Sequence, residues 1–195
     1  MQSASVNHAV IRLQWITVAW MTIEFAVAVG AGVRAHSLAL TAFGGDSAIE
    51  LFSAAVVLSR FSVGDQLEEV ATRVTAIMLY ALAVFIALSS AASLLLRIST
   101  AEGSWVGIAV LLAAAIIMPW LGRRKRELSA QTCSKALRTD AVQSSVCAYM
   151  SWIALAGIAL NTVFHLPWID SVAALALVPF ILYEANKARK GEDCC

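Results

Sequence analysis

The sequence predicts an all-α, polytopic membrane protein with six transmembrane helices and both termini in the cytoplasm. Hydrophobic residues make up 60% of the 195 residues and charged residues 14%, whereas soluble domains contain about 45–50% and about 25%. Six apolar stretches each have about the 17–25 residues that cross the hydrocarbon core. Twelve of the 14 lysines and arginines fall at the chain ends or in the loops after spans 2 and 4, which predicts that this side is cytoplasmic.

The six predicted spans leave little chain outside the membrane. They cover Leu13–Val33, Leu38–Ser59, Val74–Leu96, Trp105–Leu121, Asp140–Phe164 and Trp168–Ala185. The chain therefore divides into an N-terminal cytoplasmic segment at residues 1–12, a transmembrane domain at residues 13–185 and a cytoplasmic tail at residues 186–195. Any function must be built from the helices and their short loops. No secretory signal is apparent, since the first apolar run is long enough to span.

Spans 1 to 3 differ in the polar residues that they carry. Span 1 has Glu24 near its middle, and the tight turn Arg34–Ser37 predicts that spans 1 and 2 are antiparallel neighbours. The polar segment Ser62–Thr72 predicts an interfacial helical extension. Span 3 is uncharged, and small residues at helical spacing offer a close-packing face for a homodimer, at Ala83, Ala87 and Ala91.

Spans 4 to 6 begin or end near charged residues. Span 4 ends near Pro119 and the basic run Arg123–Arg126, which is predicted to anchor the helix at the lipid headgroups. Span 5 opens with Asp140. Span 6 follows Pro167, and Asp170 in its first turn is explained equally well as a favourable charge at a helix N-terminus. No lysine or arginine is expected inside any span.

Two acidic residues of span 2, Asp46 and Glu50, are the strongest functional signal in the sequence. Their i, i+4 spacing places both carboxylates on one helix face, within the otherwise apolar stretch Ser37–Leu58. Acids at membrane depth are costly and mark ion or proton routes. The alternative is a structural role in which each carboxylate pairs with an arginine, although no intramembrane arginine or lysine is found, or is held protonated by burial. The preceding Gly44 and Gly45 would let another backbone approach closely.

A polar stripe on span 5 is the second candidate. Asp140, Gln143 and Cys147 stand at i, i+3 and i+7, so they line one helix face. Carboxylate and thiolate are both zinc ligands, whereas an amide oxygen is a weaker choice. The alternatives are that Asp140 is a charge at the helix N-terminus and that Cys147 is a small buried hydrophobe.

Three further residues are weaker candidates. Glu24 is another acid at membrane depth and is predicted to lie in a proton path. Cys194 and Cys195 close the chain, and adjacent thiols on a cytoplasmic tail could capture a soft metal, although an inert tail explains them nearly as well. The sequence has no Gly-rich phosphate loop and no HExxH motif, so it gives no support for nucleotide-driven transport or hydrolysis.

The segment His36–Glu50 resembles the second helix of the cation diffusion facilitator family, whose members are six-helix exporters of zinc and other transition metals, commonly run by proton exchange. That helix typically reads Ser-Leu-Ala-Leu, then a glycine, then His or Asp, with an Asp four residues later. Here Asp46 and Glu50 fall on the two ligand positions. The continuation Leu51–Ser62 is similar to short zinc-efflux relatives. The resemblance covers the transmembrane domain only, without the family's C-terminal cytoplasmic domain.

Span 5 departs from the family pattern, which has His or Asp followed by Asp four residues later. One alignment puts Asp140 on the second ligand position and Ala136 on the first, which loses one ligand. The other, counted back from Asp170, puts Gln143 and Cys147 on the two positions. Both registers stay open, and neither supplies four carboxylate or imidazole ligands.

The resemblance implies a secondary active transporter in a bacterial-type inner membrane that exports divalent metal by proton antiport, zinc first and cadmium or cobalt next. Asp46, Glu50 and Asp140 would bind the metal, with Gln143 and Cys147 in the alternative register. The metal is cargo, and neither a permanently bound cofactor nor an enzymatic activity is expected.

The expected partners are the lipid bilayer, divalent metal ions and a second copy of the chain bound through the helices. A net charge of +1 gives no reason to expect nucleic acid. Two other functions stay open: a proton-coupled exporter of organic cations, and a non-transporting membrane subunit that binds metal.

Overall fold

A computed structural model describes residues 2–63, 68–96 and 101–190, and in these ranges the chain folds into six long helices. All six are long and apolar enough to cross a membrane, which confirms the predicted all-α class with six transmembrane helices, whereas the cytoplasmic position of both termini stays a prediction. The predicted helical extension at Ser62–Thr72 lies partly outside the described residues. The helices are α1 Gln2–Arg34, α2 Leu38–Val63, α3 Glu68–Leu95, α4 Trp105–Thr132, α5 Lys135–Phe164 and α6 Pro167–Lys190.

Helices α4 and α5 extend beyond the spans predicted from hydropathy. Helix α4 contains Pro119 and continues through the basic run Arg123–Arg126. Helix α5 begins ahead of Asp140, with the Ser134 hydroxyl as its N-cap, so Asp140 does not lie in the first turn. Hydropathy detects the apolar part of a helix, whereas backbone hydrogen bonds continue through polar turns. The alternative that Asp140 is only an N-terminal helix charge is therefore wrong.

Helices α2 and α5 form the centre of the bundle. Helix α1 packs mainly on α2, α4 on α5 and α3 on α6, while α2 also contacts α3, α5 and α6. Inside the structure, 61% of the most apolar stretch of α2 is buried, against 28% for α1 and α3. Polar side chains on α2 and α5 therefore tend to face other helices, where partners are available, and not lipid.

The contact between α1 and α2 is close because Gly44 has no side chain. A Cβ atom at Gly44 would lie 2.7 Å from Val29 Cγ2 and 3.1 Å from the Val29 backbone nitrogen. The first distance is shorter than real Cβ contacts and the second is tighter than most of them, so a larger residue would force the Val29 side chain and the two helices to shift. The predicted close approach of another backbone is confirmed at Gly44, whereas Gly45 faces the Leu82 side chain of α3.

One of the three residues in the alanine stripe of α3 is buried inside the protomer. Ala83 is 1% exposed and belongs to the core of the protomer, so the prediction that this stripe forms a dimer face is wrong at Ala83. Large apolar side chains are exposed elsewhere on α3, at Ile77, Phe85 and Leu88. The homodimer itself stays a prediction.

Asp170 joins the start of α6 to the start of α2. Its carboxylate accepts hydrogen bonds from the backbone N–H groups of Leu38 at 2.7 Å and Ala39 at 3.3 Å, and from the Ser37 hydroxyl. The first N–H groups of a helix have no partner within that helix, so Asp170 caps α2 from a different helix. Its position in the first turn of α6 agrees with the prediction. A helix cap of this kind contributes about 1 kcal/mol to stability.

Candidate functional site

Among the described residues, five acidic side chains from four helices lie together in the interior of the bundle. Four of them are 0% exposed, and the fifth, Glu184, is 3% exposed. A carboxylate in an apolar bundle is costly unless it is paired or hydrogen-bonded, so the partners of each one decide what it can do. These residues form the acidic cluster: Glu24 of α1, Asp46 and Glu50 of α2, Asp140 of α5 and Glu184 of α6.

A lysine of α4 reaches into the acidic cluster. Lys125 is 0% exposed, and its ammonium nitrogen lies 2.9 Å from Asp140 Oδ2 and 3.1 Å from Glu50 Oε1. The prediction that no basic residue lies inside a span is therefore wrong. The prediction that the whole run Arg123–Arg126 anchors the helix at the headgroups is wrong for Lys125.

Helical periodicity explains why Lys125 differs from its neighbours. Buried residues of α4 recur at helical spacing along one face, as expected for a helix packed on one side. Lys125 falls on that face, whereas Arg123, Arg124 and Arg126 are exposed. The helical spacing to the buried apolar residues before it was the signal in the sequence that could have identified Lys125. That face carries Met118, Leu121, Gly122, Lys125 and Ser129.

Lys125, Glu50 and Asp140 form an ion-paired set that we call the lysine triad. The Ser144 hydroxyl lies 2.7 Å from the Lys125 ammonium and also donates a hydrogen bond to Glu50. The Gln14 amide donates to Asp140 at 2.8 Å. Glu50 Oε2 and Asp140 Oδ1 nevertheless have no hydrogen-bond partner in the described part of the chain. The lysine triad carries one positive charge against two carboxylates, so it does not compensate the rest of the cluster.

Asp46 is buried without a permanent partner. Neither of its carboxylate oxygens has a hydrogen-bond partner among the described residues. Two other acids, Glu50 and Glu24, are close enough to interact with it electrostatically, and the Cys147 thiol lies beside it. An unsatisfied buried polar group costs about 1–3 kcal/mol, and a charged group costs more. The fold itself therefore gives no reason for a carboxylate at this position.

Glu24, by contrast, is well satisfied. One oxygen accepts a hydrogen bond from the Trp20 indole at 2.6 Å, and the other accepts from the Ser47 hydroxyl at 2.6 Å. The Cys147 sulfur lies 3.8 Å from that second oxygen. Glu24 thus connects α1 to α2 and α5, with its contact on α2 at the residue next to Asp46.

The polar stripe of α5 faces the interior along its whole length. Asp140, Gln143 and Cys147 are each at most 1% exposed, so both registers considered for span 5 lie on the same buried face. Asp140 and Glu50 share Lys125, whereas Cys147 lies beside Asp46. This order fits antiparallel helices, since the lower-numbered acid of α2 meets the higher-numbered residue of α5. Cys194 and Cys195 lie outside the described residues.

The carboxylates are not gathered into a metal cage in this arrangement. Within the described ranges, no group of three or more His, Cys, Asp or Glu side chains is placed to hold a metal ion. Lys125 supplies a physical reason, because its ammonium stands between Glu50 and Asp140 at hydrogen-bond distances. Zinc requires carboxylate oxygens at about 2.0–2.2 Å, so the two carboxylates would have to close around the ion.

Comparison with known families identifies the chain. A family model described as the cation efflux transmembrane domain matches residues 15–188, which begins within α1 and ends within α6. The chain belongs to the cation efflux family. Cation efflux proteins are transporters, so this chain is a multi-pass membrane transporter of cations, and the resemblance seen at His36–Glu50 is confirmed. Comparison with curated proteins gives no match.

For a cation efflux transporter, two features of the interior were not predicted. Lys125 is one, because it places a positive charge between two of the buried carboxylates. Glu184 is the other, and it lies at the end of the predicted span 6, close to basic residues of the tail. Its helical spacing to buried Leu177 and Ile181 was the available signal that it faces inward.

Proposed function

We propose that this cation efflux protein exports divalent transition-metal ions across a bacterial-type inner membrane in exchange for protons, zinc first and cadmium or cobalt next. The observation that carries the proposal is Asp46, a fully buried carboxylate whose two oxygens have no partner among the described residues. It lies on the same face of the innermost helix as Glu50. Such a carboxylate is neutralised by a proton or by a bound cation, and a group that exchanges one for the other is what a proton-coupled cation transporter requires.

The proposed ligands of the metal are Asp46 and Glu50 of α2 with Asp140 of α5. Glu50 Oε2 and Asp140 Oδ1 lack hydrogen-bond partners in the described chain, so each offers an oxygen that Lys125 does not occupy. The Gln143 amide and the Cys147 thiol lie on the same face of α5. A mixture of carboxylate and thiolate ligands suits zinc or cadmium, whereas magnesium and calcium prefer oxygen alone.

Exchange with protons follows from the chemistry of these ligands. Carboxyl and thiol groups bind a metal only after they lose their protons, so protons and metal compete for the same groups. Glu24 is the proposed relay in the proton path, because it contacts Ser47 beside Asp46 and also the Cys147 thiol. The terminal pair Cys194–Cys195 is proposed to capture metal on the cytoplasmic side.

Lys125 is proposed to act as a tethered cation in the metal-free state. Its ammonium gives Glu50 and Asp140 a positive partner when no metal is bound. The ammonium must move away from the oxygen that it contacts on each residue before both carboxylates can bind one metal ion. A transporter needs a site that binds its ion well enough to load and weakly enough to release. Competition from Lys125 lowers the affinity for metal and so favours release.

The proposal predicts zinc transport driven by a pH gradient. Purified protein in vesicles that contain a fluorescent zinc indicator should accumulate zinc several-fold faster when the lumen is more acidic than the outside, since protons leaving drive zinc in. Reversing the gradient should slow the accumulation. Cadmium and cobalt should compete with zinc, whereas magnesium and calcium should not.

Two outcomes of the vesicle experiment would contradict this function. Zinc accumulation equal to that of protein-free vesicles under either gradient would exclude zinc transport by this protein. Transport of a lipophilic organic cation that zinc does not inhibit would favour an exporter of organic cations.

A further inference from the structure

Glu184 is a buried acid for which the fold provides no partner. It lies on α6, is 3% exposed, and neither of its carboxylate oxygens has a hydrogen-bond partner among the described residues. A carboxylate that held helices together would be paired, as Asp170 and Glu24 are. Burial without a partner therefore costs stability and indicates a role other than packing.

The groups that Glu184 interacts with are the acids of the proposed metal site. It lies within electrostatic range of Asp46 and Glu50 on α2 and Asp140 on α5, and it also influences the Cys147 thiol. The positive charge of Lys125 is shared by Glu50 and Asp140. Both carboxylate oxygens of Glu184 and both of Asp46 thus lack a hydrogen-bond partner in the described part of the chain.

We propose that Glu184 is a ligand of the transported cation, and that it holds a divalent ion together with Asp46 while Glu50 and Asp140 are still paired with Lys125. This inference rests on the proposed function. Two carboxylates balance the charge of one divalent ion, so the ion can be loaded before the lysine triad opens. The Gln143 amide of α5, 1% exposed and with both polar atoms unpartnered in the described chain, is a further oxygen donor on the buried face that α5 shares with Asp140 and Cys147.

Metal binding by Asp46 and Glu184 requires a movement between α2 and α6. No three metal-binding side chains of the described chain are gathered around one point, so binding must draw the carboxylates of α6 and α2 together. These two helices are already in contact, so the movement takes place between packed neighbours. Binding of the ion by Asp46 and Glu184 would then require α6 to move, whereas binding by ligands of α2 and α5 alone would not.

The test measures metal binding and selectivity in the full-length protein under reducing conditions. Glu184→Gln keeps the size of the side chain and should weaken zinc binding about 10-fold or more, since loss of an outer-shell partner alone costs 10–100-fold. Glu184→Cys should raise the affinity for cadmium relative to cobalt, because thiolate is a softer ligand than carboxylate. Glu127→Gln is the matched control, since Glu127 is an exposed glutamate of α4.

Each outcome supports or overturns the assignment. Zinc binding and flux unchanged in Glu184→Gln, in a protein whose Asp46→Asn variant is inactive, would overturn the role of Glu184 while the proposed function stands. An unchanged preference between cadmium and cobalt in Glu184→Cys would show that Glu184 only positions other ligands. Failure of Glu184→Gln to fold would show that its carboxylate holds the helices together, and that too would overturn the inference. A wild-type protein that neither binds nor transports zinc would contradict the proposed function itself.

Discussion

Replacing Asp46 with asparagine should lower the initial rate of zinc flux about 100-fold or more and leave the protein at least as stable as wild type. Loss of a direct ligand should exceed the 10–100-fold cost of losing an outer-shell partner. The carboxylate has no hydrogen-bond partner among the described residues and is repelled by Glu50 and Glu24, so the neutral amide relieves an unfavourable charge. Flux into vesicles and thermal unfolding in detergent measure the two effects separately.

A loss of zinc flux without a loss of stability distinguishes a ligand from a structural residue. Glu127→Gln, which also neutralises a glutamate but at a 59% exposed side chain, should leave both flux and unfolding temperature near the wild-type values. An Asp46→Asn protein that transports zinc at the wild-type rate would remove Asp46 from the site. One that unfolds at a much lower temperature would show that the carboxylate supports the fold.

Replacing Lys125 with methionine should destabilise the protein by about 3–5 kcal/mol, the usual cost of removing one partner from a buried ion pair. Glu50 and Asp140 would then face each other without a positive charge. Adding Asp140→Asn to Lys125→Met removes one of these charges and should recover part of the loss. Unfolding in detergent, followed by helical circular dichroism, compares the variants.

Lys125→Met also tests whether the lysine competes with metal. Without the ammonium, saturating zinc should raise the unfolding temperature more in the variant than in wild type, because zinc then supplies the missing charge. Arg124→Met is the control, since Arg124 belongs to the same basic run but is 58% exposed, where an ion pair contributes little. Equal stability of Lys125→Met and Arg124→Met would contradict the buried ion pair, and equal zinc stabilisation would contradict the competition.

Much of the architecture could be predicted from the sequence because hydropathy and helical period act locally. Six apolar stretches predicted six spanning helices, and the i, i+4 spacing of Asp46 and Glu50 placed both on one buried face. The stripe on span 5 is likewise buried throughout. These features depend on the geometry of a single helix, which the order of residues determines.

Contacts between helices could not be predicted in the same way. Lys125 was assigned to the headgroups because it stands among three exposed arginines, although its helical phase places it inside. Asp170 caps a helix whose start lies far away in the sequence. Pairing of this kind depends on how helices pack, which composition and hydropathy do not report.

The most direct test of the central claim is calorimetric titration of purified protein with zinc in two buffers of different ionisation enthalpy, which counts the protons released on binding. Cys194→Ser and Cys195→Ser should be present in every sample, so that the tail does not contribute. The protein with both cysteine substitutions and Asp46 intact should bind zinc with release of protons. The same protein with Asp46→Asn should lose that binding. Equal affinity and equal proton release with Asp46 or asparagine at this position would contradict a metal site built on the acids of α2.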